Sequence, residues 1–365
     1  MAARKLISAD SHIIETPDWY YERVDKKYRD DVPRIVRNDK GQMMVMGFPG
    51  FSPSLARGYI PNAVGQSPTG SDVGEYEETP AGAWDPKARL VDMDRDGVSA
   101  EVLYPTHGLR TFTLEDPELR AACFRAHNDQ ITDYIAGAPS RLLGIAMIET
   151  TDIAAAVKEL ERCAKLEHRG AMISSAPPPD RPYSSREYDP LWAAASEMKM
   201  PLSLHVLTGT GPRKLMRDIL KTSPLFFRHQ YVVELQNTLL QFIEGEVFER
   251  FPNLKVAIVE SGVGWMLGFA TNADFAWLRQ QSTLKRKPSE YLKENVFATF
   301  QQDSGVRGNV LGGFSNFMWA SDYPHGDSTW PVSQSVVEKD FAGLPEDAVH
   351  EIVWANAAKV YNIAA

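Results

Sequence analysis

The sequence predicts an α/β fold, a (β/α)8 (TIM) barrel with a long insertion after its first strand. Three observations predict it. Eight short apolar, β-branched runs are spread along the 365 residues, each bounded by Gly, Pro, Asn or Asp. None alternates cleanly between apolar and polar positions, which suits parallel strands covered on both faces. Helical patterns fill the gaps, and repeated strand–helix alternation with right-handed crossovers points to a closed barrel, with an open doubly wound sheet as the competitor. The length accommodates one such barrel, typically about 250 residues, plus insertions, as a single domain over 1–365.

The strand runs are 5–13 (KLISADSHI), 100–106 (AEVLYPT), 142–149 (LLGIAMIE), 170–174 (GAMIS), 201–207 (PLSLHVL), 255–262 (KVAIVESG), 296–303 (VFATFQQD) and 316–323 (NFMWASDY). The first helix, 87–96, follows Asp85-Pro86 and stops at Gly97, a good start and stop. Helices are then expected over 117–137, 152–166, 190–198, 225–251, 269–280, 306–311 and 332–341, with a C-terminal helix over 345–363. Residues 16–84 fall outside the alternation. They are rich in Gly, Pro and aromatics, and a structureless loop of that length would be unusual. We read them as a cap over the barrel mouth with structure of its own.

Composition narrows the function classes. Hydrophobic residues at 43% and charged residues at 24% are ordinary for a globular chain. A net charge of -9 argues against nucleic acid, whose phosphates want a basic surface. No run reaches the ~18 apolar residues of a membrane span. The start, MAARKLISADSH, lacks a signal-peptide apolar stretch. Cys123 and Cys163 sit in helix-like runs without metal-site spacing, and read as buried thiols in a reducing compartment. These readings place a small-molecule enzyme in the cytoplasm. The apolar stripe of 225–251 would suit a homodimer, although the same stripe is needed to cover the barrel.

The chemistry should lie at the C-terminal ends of the strands. Asp10 and His12 end the first run two residues apart, so both point to one face. The fifth run carries His205 and the sixth Glu260, the seventh ends in Asp303, and the eighth carries Asp322 near its end, with His325 just beyond. Buried charges need partners or metals. A divalent ion on the barrel axis would satisfy this set together, and an open position on it would make the site catalytic. Each residue alone has a bland reading: a core histidine, an ion pair, a cap. Recurrence at one end of successive strands makes the joint reading more specific. Glu15 and Asp303 are additional candidate ligands, balanced against capping roles. His107 and Arg110 follow the second strand and are candidates for binding a substrate carboxylate. Trp265, Trp330 and Tyr323 are candidates for an apolar pocket. His229 is a weaker candidate at the mouth, whereas His127, His168 and His350 read as structural or solvated.

The segments ISADSHIIETPDW, LVDMDRDGVSAEVLYPT, HVLTG, FPNLKVAIVESGVGWM and MWASDYPHGDSTWP occur in this order over nearly the whole chain. In them the sequence resembles the amidohydrolase-2 (amidohydrolase-related) family, in the branch that holds aminocarboxymuconate semialdehyde decarboxylase and γ-resorcylate decarboxylase. The resemblance implies a mononuclear or dinuclear metal centre, with zinc the first expectation. It implies Asp10, His12, His205 and Asp322 as ligands, Asp322 also as a proton acceptor, and His325 as support for Asp322 or a ligand to a second ion. One position departs from the decarboxylase pattern: Glu260 stands where those enzymes carry a histidine, and it is a candidate acid, base or ligand. The carboxylate-rich set suits iron or manganese about as well as zinc. Hydrolysis or non-oxidative decarboxylation is therefore the first expectation, and a dinuclear iron or iron–manganese monooxygenase the alternative. A hetero-oligomer with a related subunit, or a non-enzymatic barrel, are further alternatives.

Overall fold

The computed structural model describes residues 4–48, 53–59, 73–209, 224–280 and 282–363. Its centre is an eight-stranded parallel sheet, and the strand order follows the chain. The strands are β1 (Leu6–Ile13), β7 (Val98–Pro105), β8 (Leu142–Met147), β9 (Gly170–Ile173), β10 (Leu202–His205), β11 (Val256–Val259), β12 (Val296–Phe300) and β13 (Phe317–Trp319). All eight overlap the expected runs; most are shorter, with β11 half the length of its run and β13 less than half.

The near-continuous apolar runs have the predicted cause. Alternate residues of each strand serve two cores. Ala257 and Val259 of β11 join an inner cluster with Ile7, Val102 and Met318, while Val256 and Ile258 pack outward under the helices. The strands are buried throughout on both faces. Val360 and Tyr361 of the C-terminal helical segment belong to the inner cluster too.

The sheet closes between β13 and β1 without a regular ladder. His12 N–H donates to Tyr323 O (2.7 Å) and Asp322 N–H donates to Asp10 O (3.0 Å). Below them, Ser8 Oγ lies 2.8 Å from Ser11 Oγ, and Ser321 N–H donates to Ser8 Oγ (2.8 Å). β1 also carries a bulge: Ser8 pairs with Glu101 and Ser11 with Leu103, so three steps on β1 match two on β7. A bulge re-aims side chains. Ile7 and Ala9 face the inner core, and past the bulge Asp10 and His12 take over that face.

The helices follow the expected order with four corrections. The expected helix 225–251 is two, Pro224–Glu244 and Val247–Arg250, broken where Glu246 adopts a left-handed backbone (φ 56°). A helix not expected, Pro288–Asn295, precedes β12. The C-terminal helix is interrupted by a π turn at Glu351–Ala355. A 3-10 turn, His107–Thr113, follows β7 at the mouth. Among the described residues no helix is long and apolar enough to cross a membrane. Cys123 and Cys163 are buried free thiols.

The segment after β1 has structure of its own. Strands β2 (Arg34–Arg37), β3 (Met43–Met46) and β4 (Ser54–Leu55) form an antiparallel sheet, and β5 (Arg57–Tyr59) pairs with β6 (Val73–Glu75). Its core of Trp19, Tyr20, Val32, Ile35 and Val45 packs onto Leu119 and Cys123 of the helix Pro117–Ile135. Residues 49–52 and 60–72 of the expected cap lie outside the described residues.

One contact gives the fold a pH signature. Asp96, at the end of the helix Pro86–Asp96, accepts from Ser333 N–H (2.8 Å) and Ser333 Oγ–H. Burial, partly offset by Ser333, raises its carboxyl to about 6. The folded chain therefore keeps a proton that an unfolded chain, with its carboxyl near 3.9, has released. Between about pH 4 and about pH 6 this group makes the fold less stable as pH rises, by roughly 3 kcal/mol in total, and the effect is flat above. Asp96→Asn should remove that slope. Urea midpoints at about pH 4 and about pH 7 compare the two proteins; parallel pH profiles would refute the assignment.

Candidate metal centre

Five polar atoms meet at the mouth of the barrel. Asp10 and His12 come from β1, His205 from the end of β10, and Asp322 and His325 from the loop after β13. Asp10 Oδ1 lies 3.4 Å from His12 Nε2 and 3.7 Å from His205 Nε2. Asp322 Oδ1 lies 3.3 Å from His12 Nε2 and 3.1 Å from His325 Nδ1. Glu260 Oε2 stands 3.8 Å from His205 Nε2. Ligands about 2.1 Å from one ion lie about 3.0–3.4 Å apart in octahedral or tetrahedral geometry. The observed edges are close to that.

The far sides of the rings are held. His12 Nδ1–H donates to Pro105 O (2.8 Å) and His205 Nδ1–H to Val206 O (2.9 Å), which leaves each Nε2 with its lone pair facing inward. Thr106 Oγ1 lies 3.1 Å from His325 Nε2. Asp10 Oδ2 accepts from Thr299 Oγ1 (3.3 Å), which in turn accepts from Glu260 N–H (2.8 Å). By contrast Asp10 Oδ1, His12 Nε2, His205 Nε2 and both Asp322 carboxylate oxygens are buried without a hydrogen-bond partner. Such groups are costly unless something satisfies them together. Imidazole nitrogens and carboxylate oxygens that face inward are a cation's donor set, so the residues fit a divalent metal.

The ion-free electrostatics are mixed: burial opposes a charge on His205, but Asp10 and Glu260 outweigh it and raise its imidazole. Burial and the neighbouring His325 push the His12 imidazole down to about 3, so it is neutral at pH 7. Burial likewise lowers His325 to about 4. Burial opposes ionisation of Asp10, but His12 and His205 outweigh it and hold the carboxyl well below its usual range. Burial, with Asp10 and Asp327 nearby, pushes Asp322 well up, and burial with Asp322 does the same to Glu260.

The backbone is strained where these side chains are presented. Leu207 (φ 73°), Glu260 (φ 59°) and Asp322 (φ 57°) all adopt the left-handed region just after β10, β11 and β13. Each costs on the order of 1–3 kcal/mol and persists only where the surroundings fix it.

The remaining candidates divide. Glu15 takes no place among the facing donors. Its carboxylate accepts from the backbone N–H groups of Thr106 (3.1 Å), His107 (2.8 Å) and Gly108 (2.7 Å), and so pins the loop after β7. Asp303 likewise accepts from Val263, Gly264 and Gly305 N–H, tying together the loops after β11 and β12. His107 is buried with Nε2 unpartnered and its ring against Trp19. Arg110 is half-buried beside it. The Trp265 indole N–H donates to Gly262 O (2.9 Å), and that of Trp330 to Asp92 O (3.1 Å), so neither donor is left for a ligand. The Tyr323 hydroxyl is bound to Asp92. His229 is exposed on its helix. Thr106, Thr299 and the Pro105 carbonyl were not expected; the only sequence signal for the first and third is their place at the end of the second run.

Comparisons with known proteins bear on the fold and the family. A γ-resorcylate decarboxylase from Polaromonas sp. strain JS666 is 22% identical over 316 residues, 76% of this chain and 90% of that protein. The fold matches an amidohydrolase from Mycobacterium avium subsp. paratuberculosis K-10 with a TM-score of 0.78 at 20% identity, covering 98% of this chain and 99% of that one. It also matches a dihydroxybenzoic acid decarboxylase from Polaromonas sp. JS666, solved with bound manganese and 2-nitroresorcinol, with a TM-score of 0.66 at 18% identity over 99% and 97% of the two chains. Residues 54–363 match the amidohydrolase family, Amidohydro_2, and with an eight-stranded barrel and a donor set at its mouth the chain belongs to that family.

Proposed function

We propose that the protein is a metal-dependent carboxy-lyase that removes CO2 from a small aromatic carboxylic acid. The observation that carries this is that five buried, unpartnered donor atoms of Asp10, His12, His205 and Asp322 face inward, in two groups that share His12. One divalent ion, manganese or zinc, would be held by Asp10, His12 and His205, with Asp322 facing it. His12 belongs to both groups of donors at the mouth, yet it has one inward lone pair, and one lone pair serves one ion. That favours a single centre over the dinuclear oxygenase, which the relatives named above do not support either. When bound, the ion supplies a Lewis acid that grips and polarises the substrate's carboxylate and adjoining oxygen.

The chain's own groups handle the proton. Decarboxylation breaks the bond between ring and carboxylate, returns its electron pair to the ring, and needs one proton on that ring carbon. In the ion-free chain burial holds the Asp322 and Glu260 carboxyls above the ordinary range, a direction that suits proton donors. Asp322 is buried beside the centre and delivers the proton; Glu260, partly open to solvent, resupplies it. His107 and Arg110 would hold the far polar end of the substrate. The segment after β1 would act as the cap, with Trp19 against His107. Exposed Phe275, Leu278 and Leu311 support a homo-oligomer.

The test is direct. Protein loaded with manganese or zinc should release CO2 from members of a hydroxybenzoate panel. A chelator should abolish the release, and returning the metal should restore it. Metal-loaded protein that leaves every such acid intact but cleaves esters or amides would replace this reading with hydrolysis.

A further inference from the structure

His12 and His325 lie side by side at the centre, their rings stacked at 4.0 Å. Both are oriented by neighbouring residues at the end of β7. His12 Nδ1–H donates to the carbonyl of Pro105, and His325 Nε2 meets the hydroxyl of Thr106. This loop is itself fixed, because Glu15 takes the N–H groups of Thr106, His107 and Gly108 on one carboxylate. Glu15 is also tied to the segment after β1, since Tyr76 Oη–H donates to its carbonyl (2.8 Å).

The three histidines share one pattern: one ring nitrogen meets an oxygen, and the other faces the centre. For His12 and His205 that oxygen is a backbone carbonyl, which only accepts, so their tautomers are settled. For His325 it is a hydroxyl, which accepts or donates. The opposite face decides. His325 Nδ1 is on the inward side of the ring, 3.1 Å from Asp322 Oδ1. An ion between these two atoms would draw on the Nδ1 lone pair, which requires the ring proton on Nε2.

We propose that Thr106 is a positioning residue. Its hydroxyl oxygen accepts His325 Nε2–H and thereby turns the Nδ1 lone pair, with Asp322, toward the ion. This rests on the metal-centre reading above. Of the three oxygens that orient the rings, Thr106 Oγ1 is the one a substitution can remove.

Three proteins test it: wild type, Thr106→Val and Thr106→Ser. The first readout is affinity for manganese ion alone, by calorimetric titration. Thr106→Val should bind about 10–100-fold more weakly, the usual cost of losing a partner that orients a ligand. Thr106→Ser should stay close to wild type. The second readout is the side-chain nitrogen NMR spectrum of 15N-histidine-labelled, metal-free protein, with His325 identified by its absence in His325→Gln. Wild type and Thr106→Ser should show the Nε2–H tautomer at His325, and Thr106→Val should lose it. A purely structural threonine would lower the melting temperature and leave both readouts unmoved. Wild-type affinity in Thr106→Val, or the Nδ1–H tautomer in wild type, overturns the proposal. A wild-type chain that binds no ion overturns the metal centre instead, and the nitrogen spectrum still decides the role of Thr106.

Discussion

His205→Ala should leave a folded chain without its ion. His205 is wholly buried, with Nδ1–H given to Val206 O and Nε2 facing Asp10 and Glu260. Losing it removes a facing donor and leaves Asp10 with fewer partners. Residues that only orient a ligand are worth about 10–100-fold in metal affinity, so loss of a ligand should exceed about a hundredfold. Turnover should fall to that of metal-stripped wild type. The fold should lose only about 1–3 kcal/mol, the scale of one disrupted buried polar contact. Elemental analysis after dialysis, with circular dichroism on the same sample, reads both. A variant that keeps one ion per chain and full turnover would remove His205 from the centre.

The largest stability effect is expected at Arg89. This guanidinium is fully buried and pairs through Nε with Glu101. It donates to His12 O (2.8 Å) and Tyr323 O (3.3 Å) and lies 4.5 Å over the Tyr323 ring. It thus joins β7, the end of β1 and the loop after β13 behind the centre. Arg89→Met should destabilise the fold by about 3–5 kcal/mol, because it strands the Glu101 carboxylate in the interior. That is a large share of the roughly 5–15 kcal/mol that holds a typical domain together. Arg89→Met with Glu101→Leu should recover part of it, since an apolar pair leaves no buried charge. Unfolding midpoints in urea measure both, and an unchanged midpoint in the single variant would contradict the assignment.

Most of the barrel was legible because its signal is local. Runs such as LLGIAMIE and KVAIVESG are long enough in apolar residues to mark strands covered on both faces, and all eight were placed to within a few residues. The ligand candidates were legible for a related reason: a charged residue ending an apolar run stands at the barrel mouth. What local patterns do not carry is direction. The break at Gly245-Glu246 places a left-handed backbone residue inside an otherwise helical pattern; Gly245 was the signal for it, and the apolar stripe that continues past it masked that signal. The bulge in β1 depends on its register against β7, a pairing across some ninety residues. Asp303 ends its run much as Asp322 nearly does, yet it turns to three backbone N–H groups instead of the centre. Glu15 and Thr106 act through atoms that become neighbours only when β1 and β7 pair.

The join between β13 and β1 has a thermodynamic meaning. Where other neighbouring strands share a ladder, this one has two main-chain bonds and a knot of serine hydroxyls. Asp10 stands on one bank of it and Asp322 on the other, with His12 within reach of both. A cation held by Asp10 and His12 and faced by Asp322 would draw the first strand and the last together, so occupancy and closure are linked free energies. Emptied of its ion, the barrel should breathe first along this line, and hydrogen exchange at the amides of His12 and Asp322 should quicken ahead of the rest.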